Sequence, residues 1–301
     1  MAQRGQYTYE WPKADVTVDC ILFGFNAEEA RLEVVLIRRA DEPYKDHWAL
    51  PGGYIELAHD TKVTWNPDNR DEMKAAHAQY DAMIAAGGSA FAVNVGDFRG
   101  AKATSFGCVA NYGQMFLRSP SETSADAARR EMQEETGVEI DYLEQLMTFD
   151  DPDRDPRGRV FSVAYFALVR SQDHVTTAGS DAKVARWMPV QAALKLRRNT
   201  VAFDHALILK TAVARLQAKV RYAPIGFNLL PESFTLGQLQ KLYEAILFRP
   251  LDRRNFRKRI LAMGILTVKS STVTKGRPAQ LYSFDKAAYD RAVKTGFNFE
   301  I

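Results

Sequence analysis

Apolar and polar residues alternate through "VTVDCILFGF" (16–25), and β-branched residues fill "LEVVLIRRA" (32–40). A period of two predicts a strand pair, with "NAEEA" (26–30) as its turn. "HWALPGGYIE" (47–56) reads as a third strand that runs into a glycine bend, and "YLEQLMTF" (142–149) and "VFSVAYFALVR" (160–170) read as further strands around the charged loop "DDPDRDPRGR" (150–159). "ARWMPV" (185–190) predicts one more short strand. The period lengthens to that of an amphipathic helix in "SADAARREMQEET" (124–136) and in "FDHALILKTAVARLQAKV" (203–220). In the first of these, Ala127, Ala128 and Met132 form the apolar stripe, Thr123 is the expected N-cap and Gly137 the expected residue after the C-terminus.

Between about residues 58 and 120 the pattern changes. "RDEMKAAHAQYDAMIAAGG" (70–88) places Met73, Tyr80 and Ile84 at helical spacing, while "SAFAVNVGDF" (89–98) and "SFGCVANYGQMFL" (105–117) read as extended. Six basic and six acidic residues balance in this stretch, so it should fold against the body rather than behave as a linker. Further on, "FTLGQLQKLYEAIL" (234–247) predicts an amphipathic helix capped by Thr235, and "RRNFRKRILAMG" (253–264) a basic helix ending at Gly264. "ILTVKSSTVTKGRPAQLYSF" (265–284) then reads as a hairpin turning at Lys275 to Pro278. Helix, turn, basic helix and basic hairpin is the plan of a winged helix.

Charge sharpens this division. Residues 219–301 hold 15 Lys and Arg against 6 Asp and Glu, whereas the preceding part holds 25 against 31, so the overall +3 conceals a basic tail. A polyanionic partner suits that tail. At 301 residues, 46% hydrophobic and 26% charged, the chain can build two globular domains. No apolar run reaches membrane-spanning length, the N-terminus lacks a signal-peptide core, and Cys20 and Cys108 alone make neither a disulfide framework nor a zinc site, so a reducing cytoplasm and no membrane are expected.

The acidic helix carries the candidate chemistry. Glu131, Glu134 and Glu135 lie three and four positions apart and project from one face, where like charges repel unless something neutralises them. Hard divalent cations prefer such oxygens and keep waters and substrate phosphates beside them. Seven residues separate Glu122 from Arg130-Glu131-Met132-Gln133-Glu134-Glu135-Thr136-Gly137-Val138, and this order resembles the later part of the Nudix hydrolase signature. The opening part stands upstream in "WALPGGYIEL" (48–57), so the signature is split by the inserted stretch. The resemblance implies an α+β Nudix fold, a mixed sheet sandwiched by helices, and Mg²⁺- or Mn²⁺-dependent cleavage of a nucleoside diphosphate derivative by an attacking water. It further implies Glu131 and Glu135 as principal metal ligands, Glu134 as a further ligand or a water-mediated contact, Glu56 and the Gly52 carbonyl as completing the set, and Arg130 as orienting a ligand carboxylate.

The opening strands and the arginine loop resemble the ADP-ribose pyrophosphatase branch, making Arg154, Arg157 and Arg159, and more weakly Arg38 and Arg39, candidates for gripping phosphate or ribose. The winged helix offers Arg253, Arg254, Asn255, Arg257 and Lys258 on its second helix, with Lys269, Lys275 and Arg277 on the wing. Joined to a Nudix domain, it resembles the Nudix-related transcriptional regulators of NAD metabolism, in which the first domain senses ADP-ribose or a related nucleotide and the second binds operator DNA, commonly as a homodimer. Members of that group often have a degraded box, whereas Arg130, Glu131, Glu134 and Glu135 are all kept here, so the sequence puts a Mg²⁺-dependent ADP-ribose pyrophosphatase first and a regulator with little hydrolysis second. A winged helix serving only protein contacts is a third reading. The expected division is a Nudix domain over 1–220 with its insertion, a linker over 221–234 and a winged-helix domain over 235–301. For the insertion, a lid over the cleft is favoured over a dimer interface or an inert decoration, because both of its ends must lie near the glycine bend and the acidic helix.

Overall fold

The computed structural model describes residues 14–56, 60–66, 68–92, 101–103, 114–118, 121–170, 182–274, 277–297 and 299. It divides into two compact units, one of residues 1–54 with 124–301 and one of residues 55–123.

In the larger unit, β1 (Asp15–Asn26) turns into β2 (Arg31–Arg39), with which it pairs antiparallel. The expected third strand is instead two short ones, because Pro51 lacks an N–H and the chain changes partners around it. Before the proline, β3 (Trp48–Ala49) pairs with β2; after it, β4 (Gly52–Tyr54) pairs with β1.

The smaller unit contains β5 (Asp60–Thr64), α1 (Arg70–Ala85), β6 (Ser89–Ala92), β7 (Ala101–Ala103) and β8 (Gln114–Arg118), with the strands in the order β5, β8, β6, β7. Asn69 caps α1 by accepting the N–H groups of Asp71 and Glu72. Tyr80 is buried with Ala76, Val63, Trp65, Ala90 and Met115, and Met73 packs against them. Ile84, expected on the same stripe, is 40% exposed: it falls beyond the arc covered by the sheet, and Met83 packs there instead. The remaining extended stretches expected at 93–98 and 105–113, including Cys108, lie outside the described residues. Glu56 and Glu122 join the two ends of this unit, the Glu56 N–H donating to Glu122 Oε1 at 2.6 Å and the Glu122 N–H to the Glu56 carbonyl at 3.3 Å.

Back in the larger unit, α2 (Ser124–Thr136) is followed by β9 (Tyr142–Phe149), β10 (Val160–Val169) and β11 (Ala182–Pro189). Its main sheet runs β11, β2, β1, β10, β9, with β1 and β10 parallel and the other neighbours antiparallel. β11 begins earlier than expected and leads directly into the short α3 (Val190–Ala193); α4 (His205–Lys219) packs its Ile208, Leu209, Ala212, Val213 and Leu216 into the core. α2 stops at Thr136 because Gly137 adopts φ 72°, the left-handed position that ends many helices.

Past a 3₁₀ turn at Pro224–Leu229, β12 (Phe234–Thr235) enters α5 (Leu236–Leu247), then α6 (Arg253–Ala262), β13 (Leu266–Thr274), β14 (Arg277–Phe284) and α7 (Lys286–Lys294). Thr235 and Gln238 form a reciprocal capping box on α5, and Asp252 caps α6 through the Asn255 N–H. β12, β14 and β13 make the three-stranded sheet of a winged helix. The stretch expected as a linker is itself packed: Ile225, Phe227, Leu229, Leu230 and Phe234 are buried in one apolar cluster that also holds Phe23 and Leu36 of the main sheet and Leu239 and Tyr243 of α5. Among the described residues no helix is long and apolar enough to cross a membrane. Because Leu239 is fully buried in that shared cluster, Leu239→Ala is expected to cost about 3 kcal/mol of unfolding free energy, measured by urea denaturation followed by circular dichroism.

Candidate nucleotide pocket and winged helix

The apolar stripe of α2 seats its acidic face beside the glycine bend. Ala127, Ala128 and Met132 are fully buried, Met132 alone contributing about 2 kcal/mol by burial. Glu131 and Glu135, one turn apart, are only 9% and 8% exposed, whereas the Glu134 side chain is 60% exposed. The Gly52 N–H donates to Glu135 Oε2 at 2.7 Å. A Cβ on Gly53 would lie 2.2 Å from Glu131 Oε1, and one on Gly52 would lie 2.2 Å from the Val18 carbonyl. No other residue type fits either position without displacing the strand or the carboxylate.

Arg130 closes this arrangement. Its Nη1 donates to Glu131 Oε1 at 2.9 Å and Glu134 Oε2 at 3.0 Å, while Nη2 donates to the Tyr54 carbonyl at 3.1 Å. One guanidinium therefore spans two helix carboxylates and the strand after the bend. Two buried carboxylates on one helix face supply oxygens of the kind a hard divalent cation takes, and a cation would offset their like charge. Glu56 is exposed and belongs to the smaller unit. Cys20 lies behind the helix, its thiol donating to the Ala128 carbonyl at 3.6 Å. Burial first, then the charges of Asp19, Glu131 and Glu135, push that thiol well above its ordinary range.

A cavity of about 270 Å³ opens at the bend, its lining including Gly52, Gly53, Tyr54, Glu135, Arg39, Asp155, Arg157 and Phe203. The Arg157 guanidinium is paired with Asp155 at 2.7 Å and lies 5.6 Å from the ring centres of both Tyr54 and Phe203. Arg39 stands 5.1 Å from the Phe203 ring. Burial and the neighbouring Arg157 charge lower the pKa of Arg39, while the hydrogen bond to Asp155 raises that of Arg157.

The five arginines named from the sequence thus part ways. Arg157 lines the cavity. Arg154 lines it too, yet its side chain is buried and engaged by Asp19 and Asp204. Arg159 instead reaches the Asp150 carbonyl at 2.6 Å and covers the Phe161 ring. Arg38 covers Trp48 and donates to the Asp46 carbonyl, because alternation along β2 turns Arg39, not Arg38, toward the cavity.

Asp19, Arg154 and His205, which also line the cavity, belong to a polar cluster that sequence reading overlooked. Asp19 accepts from Arg154 Nη2 at 2.8 Å, from Ser162 Oγ at 2.6 Å and from His205 Nε2 at 3.1 Å. Asp19, Asp204 and His205 bring potential metal-ligating atoms within 4.8 Å of one another. Arg154 already bonds both carboxylates, however, and supplies their counter-charge without a cation. The available sign was an aspartate within the apolar run "VTVDCILF", since a charge there needs partners. Burial acts most strongly, raising the Asp19 pKa, but His205, Arg154 and Ser162 together hold the carboxyl well below its ordinary 3.8.

In the winged helix, Phe256 and Ile260 are buried on one face of α6, leaving Arg253, Arg254, Asn255 and Lys258 exposed on the other. Arg257 is half-buried, its Nε enclosed without a hydrogen-bond partner. Lys269 is exposed on β13 and Arg277 opens β14, while Lys275 lies outside the described residues.

A mixed sheet with a glycine bend against an acidic helix, followed by a winged helix, defines a Nudix domain joined to a DNA-binding type of module. The NUDIX domain family model matches residues 118–210, and the model of the NrtR DNA-binding winged helix domain matches residues 226–284. The chain is 30% identical over 291 residues to the ADPR responsive transcriptional repressor NtrR of Acinetobacter baylyi, spanning 96% of this chain and 87% of that protein. Against the ADP-ribose pyrophosphatase of Methanocaldococcus jannaschii it is 38% identical over 89 residues, 30% of this chain and 48% of the other. The crystal structure of Shewanella oneidensis NrtR complexed with a 27mer DNA shares its fold, with a TM-score of 0.61 at 24% identity, covering 94% of this chain and 97% of that one. This chain belongs to the family of Nudix-related transcriptional regulators, NrtR. Its kinship over nearly the full length is with a repressor, which favours the regulator reading over the hydrolase reading that the intact box put first.

Removal of the Asp19 charge tests the buried cluster. With its folded pKa depressed, the Asp19 contribution is complete at neutral pH and is lost as pH falls below about 4. Asp19→Asn is expected to cost about 3 kcal/mol near pH 7, and the gap between the two proteins' denaturation free energies should shrink in acid.

Proposed function

We propose that this protein is a transcriptional repressor that responds to ADP-ribose, with the Nudix domain as receptor and the winged helix as DNA-binding element. The near full-length kinship with the Acinetobacter baylyi repressor carries this reading. Physical support comes from the two faces. A diphosphate needs cationic partners, and Arg39 and Arg157 stand at the cavity beside the aromatic rings of Tyr54 and Phe203, which suit a flat base. On α6, Arg253, Arg254, Asn255 and Lys258 form an exposed face of the length that enters a major groove. Fluorescence anisotropy with duplex DNA from the protein's own upstream region should show affinity that falls steeply with salt and is changed by ADP-ribose. Arg254→Ala with Lys258→Ala should weaken binding at least tenfold. Salt-insensitive binding, or affinity that ADP-ribose leaves unaltered, would speak against it.

A second activity is favoured by one observation, the burial of Glu131 and Glu135 beside the bend with Arg130 bridging to it. In this reading the two carboxylates hold Mg²⁺ or Mn²⁺, which would polarise the diphosphate and an attacking water. Glu131→Gln should then reduce release of AMP and ribose 5-phosphate by at least a hundredfold while leaving DNA affinity unchanged. Equal product formation by both proteins in a Mg²⁺ assay would rule the hydrolysis out.

A further inference from the structure

The segment that enters the glycine bend is fixed by three hydrogen bonds in succession. The Leu50 N–H donates to His205 Nδ1 at 2.9 Å, the Pro51 carbonyl accepts the Cys20 N–H at 2.8 Å, and the Gly52 N–H donates to Glu135 Oε2 at 2.7 Å. The second is part of the sheet framework and the third reaches the acidic helix. The first comes from the start of α4, 155 residues away in sequence. His205 is 6% exposed, and since its Nδ1 accepts a hydrogen bond, its ring proton resides on Nε2 and faces Asp19 Oδ1. The imidazole is therefore a two-ended connector of fixed tautomer. Beyond Asp19 stands Arg154, from the same loop that brings Asp155 and Arg157 to the cavity.

We infer that His205 is a positioning residue for the divalent-cation and diphosphate end of the pocket: by taking the Leu50 N–H it fixes the height of the glycine bend, so that Gly52 meets Glu135. The inference rests on the reading of this pocket as a receptor for ADP-ribose with a cation. The clearance at Gly53, where even one added carbon would strike the Glu131 carboxylate, leaves the bend little room to shift without moving a candidate ligand. His205 itself reaches the cavity wall, and the partners of its two ring nitrogens are the Leu50 N–H and Asp19 rather than the Glu131 and Glu135 carboxylates. Through Asp19 it also ties the bend to the arginine loop, so both walls of the cavity share one buried anchor.

Two substitutions in the full-length protein divide the connector. His205→Asn places an amide oxygen near the Nδ1 position and keeps an acceptor for Leu50 while giving up Asp19. His205→Gln reaches toward Asp19 and leaves the Leu50 N–H without its acceptor. Free Mn²⁺ is followed by electron paramagnetic resonance during titration, with and without ADP-ribose, beside thermal melts of each protein. The Gln variant should raise the Mn²⁺ midpoint about tenfold, as outer partners of metal ligands do, and the Asn variant should stay within about threefold of wild type, whichever melts lower. Unchanged midpoints in both, the reverse order, or loss of cooperative melting in both would overturn the inference, as would a wild type that takes up no Mn²⁺. A wild type that takes up Mn²⁺ but ignores ADP-ribose would refute the ligand reading alone, and the Gln-to-Asn comparison would still decide the role of His205.

Discussion

Everything in the larger unit is arranged around the contact between a main-chain bend and two buried carboxylates. Glu131 and Glu135 are held out of water, with a backbone N–H on one and a guanidinium on the other. Such charges are costly to bury unless they are paired and hydrogen-bonded. The fold meets that cost with geometry: the parallel pairing of β1 and β10 gives α2 a floor, Pro51 breaks the strand, and two consecutive glycines let the backbone come within reach. A cation in the same place would complete the neutralisation that Arg130 begins.

The second constraint is the continuity of the apolar core. Phe23 and Leu36 from the main sheet, Leu216 from α4, Phe227 from the 3₁₀ turn and Leu242 from α5 belong to a single cluster. Gln217 on α4 adds a hydrogen bond from its Nε2 to the Ile246 carbonyl of α5 at 2.8 Å. α4 begins at the cavity-lining His205 and, through Gln217, bonds to α5 at its other end, so packed side chains connect the cavity to the winged helix.

Much of this was legible in the residues. The period-two runs gave β1, β2, β9 and β10 to within a residue or two, and the α2 stripe and α5 cap could be read directly, since each rests on local chemistry. What was not legible depends on distant pairings. The choice of Arg39 over Arg38 follows from the register of β2, and the engagement of Arg154 follows from Asp19 and Asp204, which are 135 and 50 positions away. His205, at the start of the helix expected over 203–220, gives no local sign of its partner Leu50, 155 positions away. Similarly, 221–234 was expected as a linker between two domains, whereas the burial of Ile225 and Phe234 is a property of the assembled core.

Gly53→Ala asks the central question with the smallest possible change, one methyl group aimed at the Glu131 carboxylate. Calorimetric titration of ADP-ribose in the presence of Mg²⁺ should show affinity at least tenfold weaker than wild type, with the melting transition still cooperative. Wild-type affinity in the alanine variant would mean that the close approach of bend and acidic helix is incidental to the pocket, and would contradict the account.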